Sequence, residues 1–322
     1  WFRTGSMNDG RMQHAAIALG NGKILAVGGY GSSNILDSAE LYDLSTGTWT
    51  RTGSMIHARS EVTASVLLNG KVLVTGGTNG SILKHAELYD PSTGIWTATS
   101  DMNNARVLHT ASVLLNGQVL VAGGWNGTTQ ISSAELYDPT TEAWTIISNM
   151  NNARNSHTAT VLTNGSVLII GGWHDGSISG VELYDSTTRI WTSTNNINNA
   201  RYAHTTSVLA NGQLLITGGQ NATDHLNSVE LYDLSTGTST IINSLSNARP
   251  YHTASILTNG KVLITGGGLS ITELYDSSTG NWTTISNMTV PRWRHTASTL
   301  TNGLVLVAGG SSGILENSAE LY

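Results

Sequence analysis

Apolar runs of four to six residues, rich in Val, Leu, Ile and Ala, recur along the 322-residue chain, and each ends in a turn signal. None has helical length with helical period, so the pattern predicts short strands throughout. Residues 106–145 show the unit. A first strand, His109 to Leu115, ends at Asn116-Gly117, a dipeptide suited to a hairpin because both turn positions need positive φ. A second, Gln118 to Ala122, ends at Gly123-Gly124. A third carries Ala134-Glu135-Leu136-Tyr137, and Asp138-Pro139-Thr140-Thr141 turns it into a fourth around Trp144. The first strand is built of small residues that suit a crowded position near an axis, and the large Tyr and Trp fall on outer strands, where more volume must be filled.

The unit repeats seven times. Gly-Gly pairs begin at Gly28, Gly76, Gly123, Gly171, Gly218, Gly266 and Gly309, at spacings of 48, 47, 48, 47, 48 and 43 residues. Glu-Leu-Tyr recurs in step, with a Trp nine residues after the Glu in five units and Ser239 in a sixth. An Arg stands 17 residues before each pair: Arg11, Arg59, Arg106, Arg154, Arg201, Arg249 and Arg292. The N-terminal Trp1 to Met7 repeats Trp49 to Met55, and the last unit stops at Glu320-Leu321-Tyr322. The N-terminal segment therefore reads as the fourth strand of the last blade. The expected fold is all-β, a single seven-bladed propeller over 1–322, with blade 7 formed by about 289–322 plus strand 1–7. Donation of that strand to a neighbouring molecule would instead give a chain of propellers.

Gly-Gly, Tyr and Trp at these offsets, in a unit of about 48 residues, resemble the Kelch repeat. The units are similar to bacterial-type Kelch repeats and to the central propeller of galactose oxidase. That resemblance implies a fold shared by enzymes and binding modules, so function rests on the sites. A copper site of the galactose oxidase type needs a Cys linked to a Tyr, and the chain has no Cys. The iron pattern of plant specifier proteins is absent, and no catalytic residue, cofactor or metal is assigned. Gly309 to Gly313 satisfies G-x-S-x-G, but it follows a hairpin strand and opens no helix, so it carries no nucleophile elbow.

Charge narrows the partners. Charged residues make up 11% of the chain, the net charge is -6, and Lys occurs at only four positions, which argues against a nucleic-acid groove. The apolar runs are far shorter than the roughly 20 residues of a membrane span. Low charge, the lack of Cys and richness in hydroxyl residues point to an extracellular or cell-surface setting, with which the sequons at Asn79, Asn126, Asn164, Asn221, Asn281 and Asn287, no more than chance would give, are compatible. The chain opens on Trp with no initiator Met, so it is expected to be part of a larger multidomain chain or assembly.

Candidate sites lie on one face. The Asn-Gly and Asp-x-Ser-Thr-Gly turns share one side of the disc and vary little. The loops between second and third strands lie on the other side, measure 12, 11, 12, 11, 12, 7 and 11 residues from Gly to Glu, and differ in every blade. Variable loops on a rigid scaffold are where binding usually resides. Tyr30, Trp125 and Trp173 follow the glycine pairs there, and Tyr202, Tyr251 and Trp293 sit beside the ring arginines. With Asn126, His174 and Asp175 they form the candidate ligand site, suited to stacking on a sugar or a protein side chain. The arginines have two readings. They pair with the seven Glu of Glu-Leu-Tyr, or, as the resemblance to Kelch propellers that bind acidic peptides implies, Arg106, Arg154, Arg201 and Arg249 reach a ligand. His14, His109, His157, His204, His252 and His295 are expected to pack between blades with their nitrogens hydrogen-bonded. The expected function is a non-catalytic module recognising a protein or glycan. The alternatives are a structural bead of a filament or large surface protein, or a sugar-modifying enzyme with polar groups converging in the channel mouth.

Overall fold

The computed structural model describes residues 1–322 as 28 strands in seven four-stranded antiparallel sheets. The chain opens with β1 (Phe2–Thr4) and then builds the first blade from β2 (Ala15–Ala18), β3 (Ile24–Val27), β4 (Ala39–Asp43) and β5 (Thr48–Arg51), paired in that order. Five further blades repeat this meander. The innermost strands of neighbouring blades touch all the way round, which closes the ring about a central channel. No helix is long and apolar enough to cross a membrane.

The second strand of each blade is apolar at nearly every position because both of its faces are covered. In β3, Leu25 and Val27 pack with Val72, Val74, Tyr89 and Trp96 of blade 2. Ile24 and Ala26 face the other way, onto Leu300, Leu306 and Leu321 of blade 7. The core is thus a set of layers between blades, and each buried Val, Leu or Ile contributes about 1.5–3 kcal/mol over its exposed state. Tyr and Trp of the outer strands pair at 5.0 to 5.2 Å between ring centres in blades 1, 2, 3, 4 and 6. Where blade 5 has Ser239, its hydroxyl bonds to Glu230 instead, at 2.6 Å.

The glycine pairs form the seam between blades. Gly123 has φ +64°, and a Cβ there would lie 2.6 Å from the carbonyl oxygen of Arg154 in the next blade and 2.8 Å from the His157 ring. Only glycine meets both conditions. The N–H of Gly124 then donates to that same Arg154 carbonyl at 2.8 Å. The equivalent bond from Gly310 to Arg11, also 2.8 Å, joins the last blade to the first.

Blade 7 combines both chain ends: β26 (Thr296–Thr299), β27 (Val305–Ala308), β28 (Ala319–Leu321) and β1. Arg3 of β1 lies opposite Glu320 of β28. Trp1 stacks with Tyr322 at 5.3 Å, so the first and last residues reproduce the Tyr–Trp pair of the other blades. The N-terminal strand therefore closes its own ring.

Candidate functional site

Beneath the loop face lies a ring of buried ion pairs. Each of the seven arginines has no accessible surface, and its Nη2 lies 2.5 to 3.0 Å from the Glu of its blade. Arg106 shows the pattern. It bonds Glu135 at 2.8 Å and donates to the Gly123 and Ser133 carbonyls at 2.7 and 3.0 Å. Glu135 in turn accepts the main-chain N–H groups of Asn103 and Asn104, in the linker that enters the blade. Burial pushes the Arg106 guanidinium below its ordinary pKa, opposed by Glu135. For Glu135, burial acts upward, but the Asn103 and Arg106 bonds outweigh it and hold the carboxyl below its ordinary value. The pairs shape the linkers. Arg106, Arg154, Arg201 and Arg249 therefore do not present guanidinium groups to a ligand on this face, which corrects the reading implied by peptide-binding propellers.

The histidines lie between blades with Nε2 bonded, but contrary to expectation Nδ1 of His14, His109, His157, His204 and His295 has no protein partner, while that of His252 meets the Arg249 carbonyl at 2.7 Å. Nε2 of His157 bonds Thr110 of the preceding blade at 2.9 Å, and His252 and His295 repeat this with Thr205 and Thr253. Burial, then the neighbouring arginine, lowers their pKa to about 3, so they are neutral. With Nε2 engaged by threonines, no three His, Asp or Glu gathered and no Cys, these residues do not fit a copper centre.

The channel mouth is formed by the residues two beyond each arginine: Gln13, Glu61, Leu108, Ser156, Ala203, Tyr251 and Arg294, which line a cavity of about 330 Å³. All seven adopt left-handed φ, between 51° and 55°. Such a conformation costs about 1–3 kcal/mol per non-glycine residue and persists only where the surroundings impose it. Here a main-chain relay does so: Glu61 N–H donates to Gln13 at 2.8 Å, Gln13 to Arg294 at 3.1 Å, Ser156 to Leu108 at 3.0 Å, Ala203 to Ser156 at 3.2 Å and Tyr251 to Ala203 at 3.0 Å. No bond joins Glu61 to Leu108 or Tyr251 to Arg294. Between those two gaps lies a polar arc. Arg294 caps the Tyr251 ring at 4.6 Å and lies 3.5 Å from Glu61, and Glu61 accepts the Gln13 amide.

The structure brings together some of the aromatic set. Trp173 meets Tyr202 edge-on at 5.0 Å, and Trp293 meets His225 at 6.2 Å. Tyr251 and Trp293 line a second cavity of about 330 Å³ with Gln220 and Arg294. Tyr30 and Trp125 stand apart, in blades 1 and 3, and each bridges its own loop to the segment after its blade's arginine. Asn126 folds its loop, its side-chain oxygen accepting the N–H groups of Thr128 and Thr129 at 2.9 Å. His174 and Asp175 are exposed at a loop tip. Glu61, Gln13 and Arg294 escaped the sequence reading. The available signal was that the two positions after each ring arginine vary, while the arginine itself repeats and a His follows them in six of the seven blades.

Family models match this architecture. The KLHDC2/KLHL20/DRC7 Kelch-repeats domain matches residues 108–310, and the Kelch motif matches 11–56 and 63–103. The chain belongs to the Kelch-repeat propellers. A solved structure described as a novel fungal alcohol oxidase with catalytic diversity among the AA5 family, in complex with copper, superposes with a TM-score of 0.80 at 18% identity, covering 99% of this chain and 74% of that one. At that identity the likeness concerns the fold alone. No curated relative matches the chain.

Proposed function

We propose that this propeller is a non-catalytic binding module that recognises a protein or glycan on its loop face, in an extracellular or cell-surface setting. One observation carries the reading: Trp173, Tyr202, Tyr251 and Trp293, from four consecutive blades, are partly exposed on the loop face, Trp173 paired with Tyr202 and Tyr251 sharing a cavity with Trp293. Aromatic rings held rigid at a concave surface give large contact area at low entropic cost. The scaffold's strongest charges are consumed inside the blades, so recognition falls to the rings and the polar arc.

The test is a screen of glycans and candidate protein ligands against the parent and a Trp173→Ala, Tyr202→Ala double variant of checked melting temperature. Binding that vanishes in a variant of unchanged stability supports the module. A parent with no ligand, together with a large loss of melting temperature in the variant, would make the rings packing elements and leave an architectural role.

A further inference from the structure

Blade 6 is the odd one. Its loop from Gly266 to Glu273 spans 7 residues where the others span 11 or 12. Trp293 of blade 7 occupies the space this leaves: a Cβ on Gly268 would lie 2.2 Å from the indole. His225 of blade 5 reaches in from the other side to meet that indole. The result is a groove that runs outward over blade 6 from the channel mouth. Its two compartments, each about 330 Å³, share Tyr251 and Arg294 as a common wall. Each is at the lower end of the size range of small-ligand sites, about 300–1,000 Å³.

The chemistry of the groove selects against charge. Glu61 and Arg294 lie 3.5 Å apart, so each offsets the other's charge and neither an anion nor a cation meets an uncompensated partner. What remains alternates donors and acceptors: the Glu61 carboxylate, the Gln13 and Gln220 amides, the Arg294 guanidinium and the Tyr251 hydroxyl. The two gaps in the main-chain relay add N–H groups at Leu108 and Arg294 and carbonyls at Glu61 and Tyr251. Such a set suits hydroxyls, each of which both donates and accepts. A polypeptide that docks by adding a strand needs a free strand edge. The bridges Tyr202–Gln220 and Trp293–Ser311 have already paired the main chain here. The indole of Trp293 provides a flat apolar platform in the outer compartment, and Tyr251, with Arg294 over its ring, forms the wall between the two.

We propose that the groove over blade 6 binds a neutral oligosaccharide of at least two rings, one ring held in the mouth by the Gln13–Glu61–Arg294 arc and the next against Trp293. The proposal rests on the reading of the loop face as a binding face. Its test is titration of the propeller with neutral mono-, di- and trisaccharides, beside sialylated and sulfated glycans and unmodified peptides. Three variants accompany the parent: Trp293→Ala, Glu61→Gln, and one whose blade 6 loop is lengthened to match that of blade 5. The expected result is a neutral disaccharide or longer glycan bound about tenfold or more tightly than its component monosaccharides, weakened about tenfold by Trp293→Ala or Glu61→Gln and abolished by the longer loop. If Trp293→Ala fails to fold, the Glu61 variant and the loop variant decide. Absence of neutral-glycan binding at millimolar concentration, or preference for the anionic glycans, overturns the proposal. So does binding indifferent to all three variants. Peptide binding without glycan binding would overturn it while leaving the loop face a binding face.

Discussion

A buried charge is tolerated only with its partner, and the seven Arg–Glu pairs make this the most sensitive class of position in the molecule. Arg106→Met leaves Glu135 buried without its cation and is expected to lower stability by about 3–5 kcal/mol in denaturant unfolding. Arg51 and Asp9 form a pair of the same 2.8 Å length, but Arg51 is 58% exposed, so Arg51→Met is expected to cost less than about 1 kcal/mol. The histidines set the pH response. His157, His252 and His295 have folded pKa values near 3, against about 6.5 in the unfolded chain, and burial pushes His14, His109 and His204 the same way. A depressed folded pKa means that unfolding takes up protons between those values. Stability is therefore complete above pH 6.5 and falls as pH drops towards 3, by up to about 1.4 kcal/mol per pH unit for each histidine. Unfolding at pH 5 should take up more protons than at pH 8, about three of them from His157, His252 and His295, as calorimetry in buffers of differing ionisation heat would show.

Strands and turns were legible in advance because their causes are local. Asn116-Gly117 does end its hairpin, but only Gly117 takes positive φ, at +84°, while the Asn116 side chain accepts the Gln118 N–H at 3.0 Å; the apolar second strands are apolar because neighbouring blades cover both faces. The glycine pairs were legible as markers, but their cause was not: the close carbonyl belongs to the next blade. Two substitutions separate these effects. Gly212 has φ +82° with nothing within 4 Å of a would-be Cβ, so Gly212→Ala is expected to cost only backbone strain, about 1 kcal/mol. Gly123→Ala adds a collision with the Arg154 carbonyl and is expected to cost about 1–3 kcal/mol more, read from the shift in unfolding midpoint.

Ring closure is a property of the whole molecule, and it depends on three residues of β1. Deleting Trp1 to Thr4 removes the partner of β28, the stack on Tyr322 and the indole bond to Thr272. The shortened chain is expected to melt well below the parent and to self-associate through the uncovered β28 edge, as scanning fluorimetry and gel filtration would report. The number of blades, the order of strands and the closing strand could all be read from the chain, since each follows from turn chemistry and a unit of about 48 residues repeated seven times. The sequence also supplied both halves of each Arg–Glu pair, though the choice between pairing and ligand contact waited for burial. The mouth was decided by tertiary structure alone. Glu61 and Arg294 are 233 positions apart, in blades separated by a third, and neither belongs to a repeating pattern. Their contact, and the groove that the short loop of blade 6 opens beneath Trp293, arise because closing the ring brings independently varying positions to one axis.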